Sequence, residues 1–293
     1  MTIPFAQTLA ARFADLPEQL QVAARWISEN PQDVALLSMR DQARRAGVQP
    51  ATMSRLARAL GYGGYDALRA QHADALRRNG QGLAATAQRR RPLDANSTEA
   101  AAQALLAESA DQISYLSSAD NLAAIARAAA LIASARRVYC LGQRSSYPVA
   151  WHFHYAMSLI TDRAQLLDGS GATGLDALSH AQPGDVLFVC GVAPYTRAVV
   201  EASLQAQANG LQIVTVTDSP LSPLAVQGGC VLISPTESAS YLHAMTPAFA
   251  LADCLAALVA RGDDPAVLAR LEDLDRQLSA RNTYLSEPQK VSI

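Results

Sequence analysis

Asp185-Val-Leu-Phe-Val-Cys-Gly191 is five apolar residues held between an aspartate and a glycine. A strand with one wet face alternates polar and apolar side chains. An unbroken apolar run of this length belongs to a strand covered on both faces. The design recurs. Arg137-Val-Tyr-Cys-Leu-Gly142 precedes it, Leu211-Gln-Ile-Val-Thr-Val-Thr217 and Cys230-Val-Leu-Ile-Ser234 follow, and Ala164-Gln-Leu-Leu-Asp168 is a weaker copy. Helical patterns lie between them, one from Pro148 to Ile160 and another starting near Thr196. Buried strands alternating with helices predict an α/β fold, an αβα parallel sheet with helices on both sides.

In such sheets ligands bind outside the carboxyl ends of the strands, where loops run into helix N-termini that favour anions. Three loops qualify: Gly142-Gln143-Arg144-Ser145-Ser146, Ala193-Pro194-Tyr195-Thr196 and Asp218-Ser219-Pro220. Gly142, Arg144, Ser145, Ser146, Tyr195, Thr196, Asp218 and Ser219 are therefore the candidate ligand contacts. The plain alternative is that Ser145, Ser146 and Thr196 only cap their helices. Three such loops converging on one edge favour a small anionic ligand.

The 293 residues carry a net charge of −2, half of them are hydrophobic and 5% are aromatic. At about 150 residues per domain, two domains are expected. Of 24 basic residues, Lys290 is the one lysine, near the end of the chain and close to Pro288. Chemistry that needs a positioned lysine in a folded site, such as Schiff-base or P-loop chemistry, is excluded. No cofactor or metal is expected. Cys140, Cys190, Cys230 and Cys254 stand singly in apolar segments, which predicts buried, reduced thiols in a cytoplasmic protein. The start of the sequence lacks a charged-then-apolar leader pattern, and no run of 18 apolar residues predicts a membrane span.

Charge divides the chain. Residues 1–91 hold 13 arginines against seven acidic residues, and the remainder reverses the balance. A basic part joined to an acidic one suits a polyanion-binding module. Within it, Leu20, Ala23, Ala24 and Ile27 recur at helical spacing until Asn30-Pro31. Ser38 with Asp41 forms a weak capping box, and that helix ends at Gly47. Pro50 opens another helix that stops at Gly61. About three residues separate the two, the connection length of a helix-turn-helix. Ala43 allows close crossing, while Val48, Met53 and Leu56 pin the second helix. That leaves Gln49, Ala51, Thr52, Ser54, Arg55 and Arg58 as the expected outward face, the residue types that a recognition helix presents to base edges and phosphates. Gln49 stands where a stronger cap such as Ser would be usual. The stretch from Arg77 through Arg91-Pro92 is glycine-rich and polar, and is expected to be a linker or frayed helix.

Together these features resemble the RpiR family of bacterial transcriptional regulators, whose C-terminal half is a sugar isomerase (SIS) domain. The resemblance rests on Asn30-Pro31, Ala43-x-x-x-Gly47-Val48, Ala51-Thr52-x-x-Arg55, Leu60-Gly61-Tyr62-x-Gly64-Tyr65, Gly184-Asp185-Val186-Leu187 and the run from Thr217 to Ala225. It implies a helix-turn-helix bundle over residues 1–80, a linker and connecting helix over 81–110, and an SIS domain over 111–285. It further implies operator DNA and a phosphosugar-like effector as partners, and a homodimer or higher homo-oligomer. Two departures stand out. The Gly-x-Gly-x-Ser turn usual in SIS domains is here Gly142-Gln143-Arg144-Ser145-Ser146, and the Ser-x-Ser-Gly-x-Thr phosphate loop is Gly191-Val192-Ala193-Pro194-Tyr195-Thr196. An altered pocket follows, one that gains an arginine and loses hydroxyls. An isomerase would need a base beside its substrate. His152, His154, His243 and Glu237 are the loose candidates. A buried or interface role is expected of His152 and His154. His243 and Glu237 lie after the last strand, where ligand-facing or dimer-facing groups are often placed, and catalysis is not expected. The alternative of a phosphosugar isomerase with an N-terminal assembly domain stays open at this point.

Overall fold

The computed structural model describes Phe5, Leu9 and residues 12–79, 97–168, 173–220, 222–225, 229–240, 242–261 and 265–285. Its helical half contains α1 (Glu18–Glu29), α2 (Pro31–Leu36), α3 (Met39–Ala46), α4 (Pro50–Ala59) and α5 (Tyr65–Asn79). The spacing read in α1 is its buried stripe: Leu20, Ala23, Ala24 and Ile27 all face the core. Asn30-Pro31 ends α1 but does not stop helix formation. Asn30 folds its amide back onto the Trp26 carbonyl at 2.9 Å, and Pro31, with φ suited to a first turn, starts α2 at once.

Ser38 caps α3 as its spacing with Asp41 predicts. The Asp41 N–H donates to Ser38 Oγ at 3.2 Å and the Ser38 hydroxyl donates to the Asp41 carboxylate at 2.6 Å. Gly47 takes φ +70°, the left-handed end that only glycine adopts without strain, and the Val48 N–H closes the motif onto the Ala43 carbonyl at 2.9 Å. Gln42 is buried and joins three helices. Its amide donates to the carbonyls of Val34 at 3.0 Å and Leu37 at 2.8 Å, and it accepts from the Tyr65 hydroxyl.

His72 sits buried against the edge of Phe5, with Nδ1 on the Leu68 carbonyl at 2.9 Å. Burial pulls its pKa below the ordinary 6.5. A depressed folded pKa means the unfolded chain binds the proton more readily, so stability is full above about pH 6.5 and falls as pH drops toward the folded value. We expect His72→Gln to flatten the loss of melting temperature between pH 7.5 and 5.5. An unchanged slope in a folded variant would remove His72 as its source.

The second half opens with α6 (Thr98–Tyr115) and α7 (Ala119–Ser134). There follow β1 (Val138–Gly142), α8 (Tyr147–Ile160), β2 (Ala164–Leu166), β3 (Val186–Cys190), α9 (Arg197–Ala208), β4 (Gln212–Thr217), β5 (Cys230–Ile233), α10 (Thr246–Val259) and α11 (Pro265–Ala280). The five strands are parallel in the order β2-β1-β3-β4-β5. Every residue of β1 and β3 is buried, as unbroken apolar runs require. Val138, Cys140, Phe188 and Val214 pack toward α7, α8 and α10, where Phe153 stacks on Phe188 at 4.1 Å. Tyr139, Leu141, Leu187 and Ile213 pack toward α9. The chain therefore leaves β1 and β3 in opposite directions, and the crevice between their ends is the topological switch point.

At the opposite end of β3 the buried Asp185 accepts from Arg136 at 2.7 Å and from the Gln182 N–H at 2.9 Å. α6 runs through residue 110, so the boundary drawn there falls inside a helix. Arg77, Arg78 and Asn79 end α5, while the rest of the expected linker, residues 80–96, lies outside the described residues. α6 is tied to the segment after β5: Gln112 donates to the Glu237 carbonyl and the Ala239 N–H donates to the Glu108 carboxylate at 3.0 Å. Three cysteines are buried thiols, but Cys254 is exposed, because α10 turns that position away from the sheet. Among the described residues no helix is long and apolar enough to cross a membrane.

Candidate functional site

The turn from β1 into α8 is governed by two residues. Gly142 leaves no room for a side chain: an added Cβ would lie 2.5 Å from the Ser146 carbonyl oxygen and 3.0 Å from the Ala150 Cβ. The first turn of α8 thus crosses directly over the strand end. Two residues on, Arg144 takes φ +58°, a left-handed conformation that costs a non-glycine residue about 1–2 kcal/mol. It stands where the sequence analysis set the second glycine of the Gly-x-Gly-x-Ser turn. The arginine is exposed and opens a single 3-10 turn, closed by the Ser146 N–H on the Gln143 carbonyl at 3.1 Å.

On the other side of the crevice, β3 leads to α9 through residues 191–196. The Gly191 N–H donates to the Val216 carbonyl at 3.0 Å, and the Gly191 carbonyl accepts from the Thr217 hydroxyl at 2.7 Å. Asp218 holds the rest of the loop. Its carboxylate accepts from the Tyr195 hydroxyl at 2.7 Å and from the Ala193 N–H at 3.4 Å. Burial, then the Asp218 charge, push the Tyr195 pKa upward, so the phenol stays a donor.

Between the two loops lies a small, partly open cleft. Arg144, Ser145, Ser146 and Thr196 line it, while Gly142 is not among its lining residues. Tyr195, Asp218 and Ser219 are not among the lining residues; Tyr195 and Asp218 satisfy each other, and Ser219 begins the turn to Ser222. The sequence reading missed Cys190, Val199 and Leu224 as walls, although the first ends an apolar run pointing at this edge. The Cys190 thiol is pushed up to about 12 by burial, with the Ser146 hydroxyl hydrogen-bonded to it pulling the other way and the Asp218 charge adding to the rise, and stays protonated. Ser146 and Thr196 stand at the starts of α8 and α9, yet neither side chain makes a cap hydrogen bond. Their hydroxyls are not engaged in the role that capping alone would give them.

None of the four loose candidates for a catalytic base lines this cleft. His152 bonds the Asp253 carboxylate at 2.5 Å. His154 has its Nδ1 buried, and burial lowers its pKa. Glu237 gives its backbone carbonyl to Gln112, and His243 lies in the same segment after β5.

In the helical half, Gln49, Ala51, Arg55 and Arg58 are exposed and Ser54 is half-buried, its hydroxyl 3.5 Å from Met39 Sδ. Thr52 corrects the expected outward face. It is 2% exposed and lies on the stripe with Met53, Leu56 and Ala57. Its hydroxyl accepts from Arg55 at 3.2 Å, so it steadies the arginine from below. Arg44 and Arg45 pair with Asp41 and Asp33 at 2.5 and 2.6 Å, whereas among the described residues Arg55 and Arg58 have no carboxylate partner.

Residues 131–258 match the family model of the SIS domain. The sheet half of this chain is similar to SIS domains. No curated protein matches the chain. Among solved structures, the Vibrio vulnificus NanR protein complexed with ManNAc-6P is 20% identical, with a TM-score of 0.51 over 95% of this chain and 99% of that one. That likeness takes in the helical half as well. The sugar isomerase domain of an RpiR transcription factor from Sphaerobacter thermophilus is 24% identical (TM-score 0.54), covering 59% of this chain and 96% of that one. A phosphoheptose isomerase from Francisella tularensis is 17% identical (TM-score 0.50), over 57% and 100%. At these identities the likeness is one of fold: a helical N-terminal region followed by a five-stranded parallel, SIS-like α/β domain.

Proposed function

We propose that this chain is a DNA-binding transcriptional regulator of the RpiR kind, not an enzyme, whose SIS domain senses a small anionic metabolite. The observation that carries the reading is the exposed face of α4. Gln49, Ala51, Arg55 and Arg58 project from a helix fixed to α3 by the left-handed turn at Gly47. Two arginines without acidic partners beside small side chains match major-groove recognition. A fold shared over both halves with NanR, and an SIS fold shared with an RpiR transcription factor, agree with it.

In a homodimer, two such helices would enter successive major grooves about 34 Å apart. An effector alters binding only so far as it prefers one arrangement of the dimer. The isomerase alternative finds less support, because among the described residues the cleft is lined by no carboxylate or imidazole.

The test is anisotropy titration of DNA upstream of the chain's own gene against a random duplex, at several salt concentrations. Specific binding should fall steeply with salt and exceed random binding at every concentration. Arg55→Ala should weaken specific binding by about 1–3 kcal/mol and narrow the gap to random DNA. Equal affinity for the two duplexes would overturn the reading.

A further inference from the structure

We propose that the outer face of α8 is the surface on which two copies of this chain pair, the helices antiparallel and Trp151 at the two-fold axis. The proposal rests on the regulator reading above only for the need of two copies, and gives that homodimer its contact face.

From Tyr147 to Ile160, α8 carries no Asp, Glu, Lys or Arg. A helix with one side in solvent normally charges that side, and a helix apolar all round is covered all round. The inner side of α8 obeys this: Val149, Phe153 and Met157 are buried in the sheet core. On the outer side Tyr147, Trp151 and Tyr155 are 37%, 45% and 44% exposed and, four residues apart, form one ridge. Trp151 and Tyr155 stack with ring centroids 5.5 Å apart and planes 4° from parallel, a flat aromatic surface turned to solvent.

The charge of this face selects its occupant. It offers no cation to a nucleic acid and no carboxylate to a basic partner. Its match is another uncharged aromatic face, and the order Tyr147-x3-Trp151-x3-Tyr155 reads the same in both directions. About a two-fold axis at Trp151, Tyr147 of each copy meets Tyr155 of the other, and the two Trp151 rings meet at the centre. Antiparallel pairing also sets the positive N-terminal end of one α8 against the negative C-terminal end of the other. Asp162, exposed just past the C-terminal end, is thereby brought toward the partner's N-terminal end, where a carboxylate is favoured.

α11 extends the face. Arg270 holds it to α8, with Nε and Nη2 donating to the Ser158 carbonyl at 3.3 and 3.1 Å, three residues past Tyr155. None of the α11 residues is buried; Leu268 is exposed, and Leu271, Leu274 and Leu278 are half-buried. An aromatic side chain spans about 150–250 Å², so the ridge alone leaves roughly 250 Å² per copy for a partner. That is about a third of what a stable dimer covers on each side, and α11 supplies neighbouring apolar area. Tyr147 directly follows Ser146, which lines the cleft, so one turn ends the ligand wall and begins the pairing face.

Sedimentation velocity of the full chain tests this. The unaltered chain should be a dimer at micromolar concentration, and Trp151→Arg should weaken self-association at least tenfold. Leu106→Arg, at another exposed apolar site on α6, should leave it unchanged. A chain with Trp26→Phe gives a readout that needs no arginine, because Trp151 is then its one tryptophan. Its emission should shift to the red on dilution through the dimer–monomer transition. A monomeric unaltered chain, a Trp151→Arg dimer as tight as the unaltered one, or an emission unchanged across dissociation would each overturn the face. If specific DNA binding persists in those cases, the regulator reading survives without this contact. If Trp151→Arg dissociates the dimer while the unaltered chain binds specific and random DNA alike, the pairing face stands and that reading falls.

Discussion

Gly142→Ala should be a strongly damaging conservative change in the sheet half. The methyl group would overlap the backbone of Ser146, with 2.5 Å to the carbonyl oxygen and 2.9 Å to its carbon, and crowd the Ala150 Cβ. Neither neighbour is a flexible side-chain end. Relief requires α8 to move off the strand, but Val149, Ala150, Phe153 and Met157 anchor that helix in the core. Close-packed interiors do not absorb such shifts, and overpacking here should cost about 3 kcal/mol. For a domain of this size that is a fall in melting temperature on the order of 8 °C. Because the same turn carries Arg144 and Ser146, ligand binding should fail as well. Gly63→Ala is the control, since its added methyl meets nothing within 4 Å and should change stability by less than about 0.5 kcal/mol. A Gly142→Ala melting point within a degree of the unaltered chain would contradict this account of the turn.

The sheet was legible because burial on both faces is written in composition. Five runs read as strands became β1 to β5, each within two residues of its expected ends, since a strand needs only its own side chains to announce that it is covered. The turn of the helix-turn-helix was legible for a related reason. Ser38 and Asp41, then Gly47, act on backbone within a few residues of themselves. Thr52 was misjudged because its polarity was given more weight than its place. Four residues before Leu56 and beside Met53, it falls on the inner stripe by helical period alone. α2 was missed because a proline can end one helix and begin the next, and the sequence marks both with the same residue.

The pocket was legible only as a set of loops. That Asp218 would turn away from the cleft to hold Tyr195 and Ala193 depends on where β4 ends relative to β3, a matter of register between strands far apart in sequence. The strain at Arg144 was likewise invisible in residue type. It follows from the backbone path that Gly142 permits over the strand end.

Arg144→Gly should therefore separate stability from recognition. Glycine removes about 1–2 kcal/mol of left-handed strain, and its freer unfolded chain returns part of that gain, about 0.5–1 kcal/mol. The net expectation is a gain of about 0.5–1 kcal/mol and a melting temperature higher by about 1–3 °C. Recognition should move the other way. Loss of a bidentate, charge-assisted pair should weaken an anionic ligand by about 100-fold. Arg144→Ala gives the contrast: it loses the same pair but keeps a Cβ in the left-handed region, so affinity should fall without the gain in stability. A position serving only the fold would show the two quantities falling together. If Arg144→Gly melted below the unaltered chain, or bound its ligand undiminished, the arginine would not be a strained residue retained for an anion. A more stable variant with an empty cleft would instead mark Arg144 as a residue whose conformational cost is offset by what it binds.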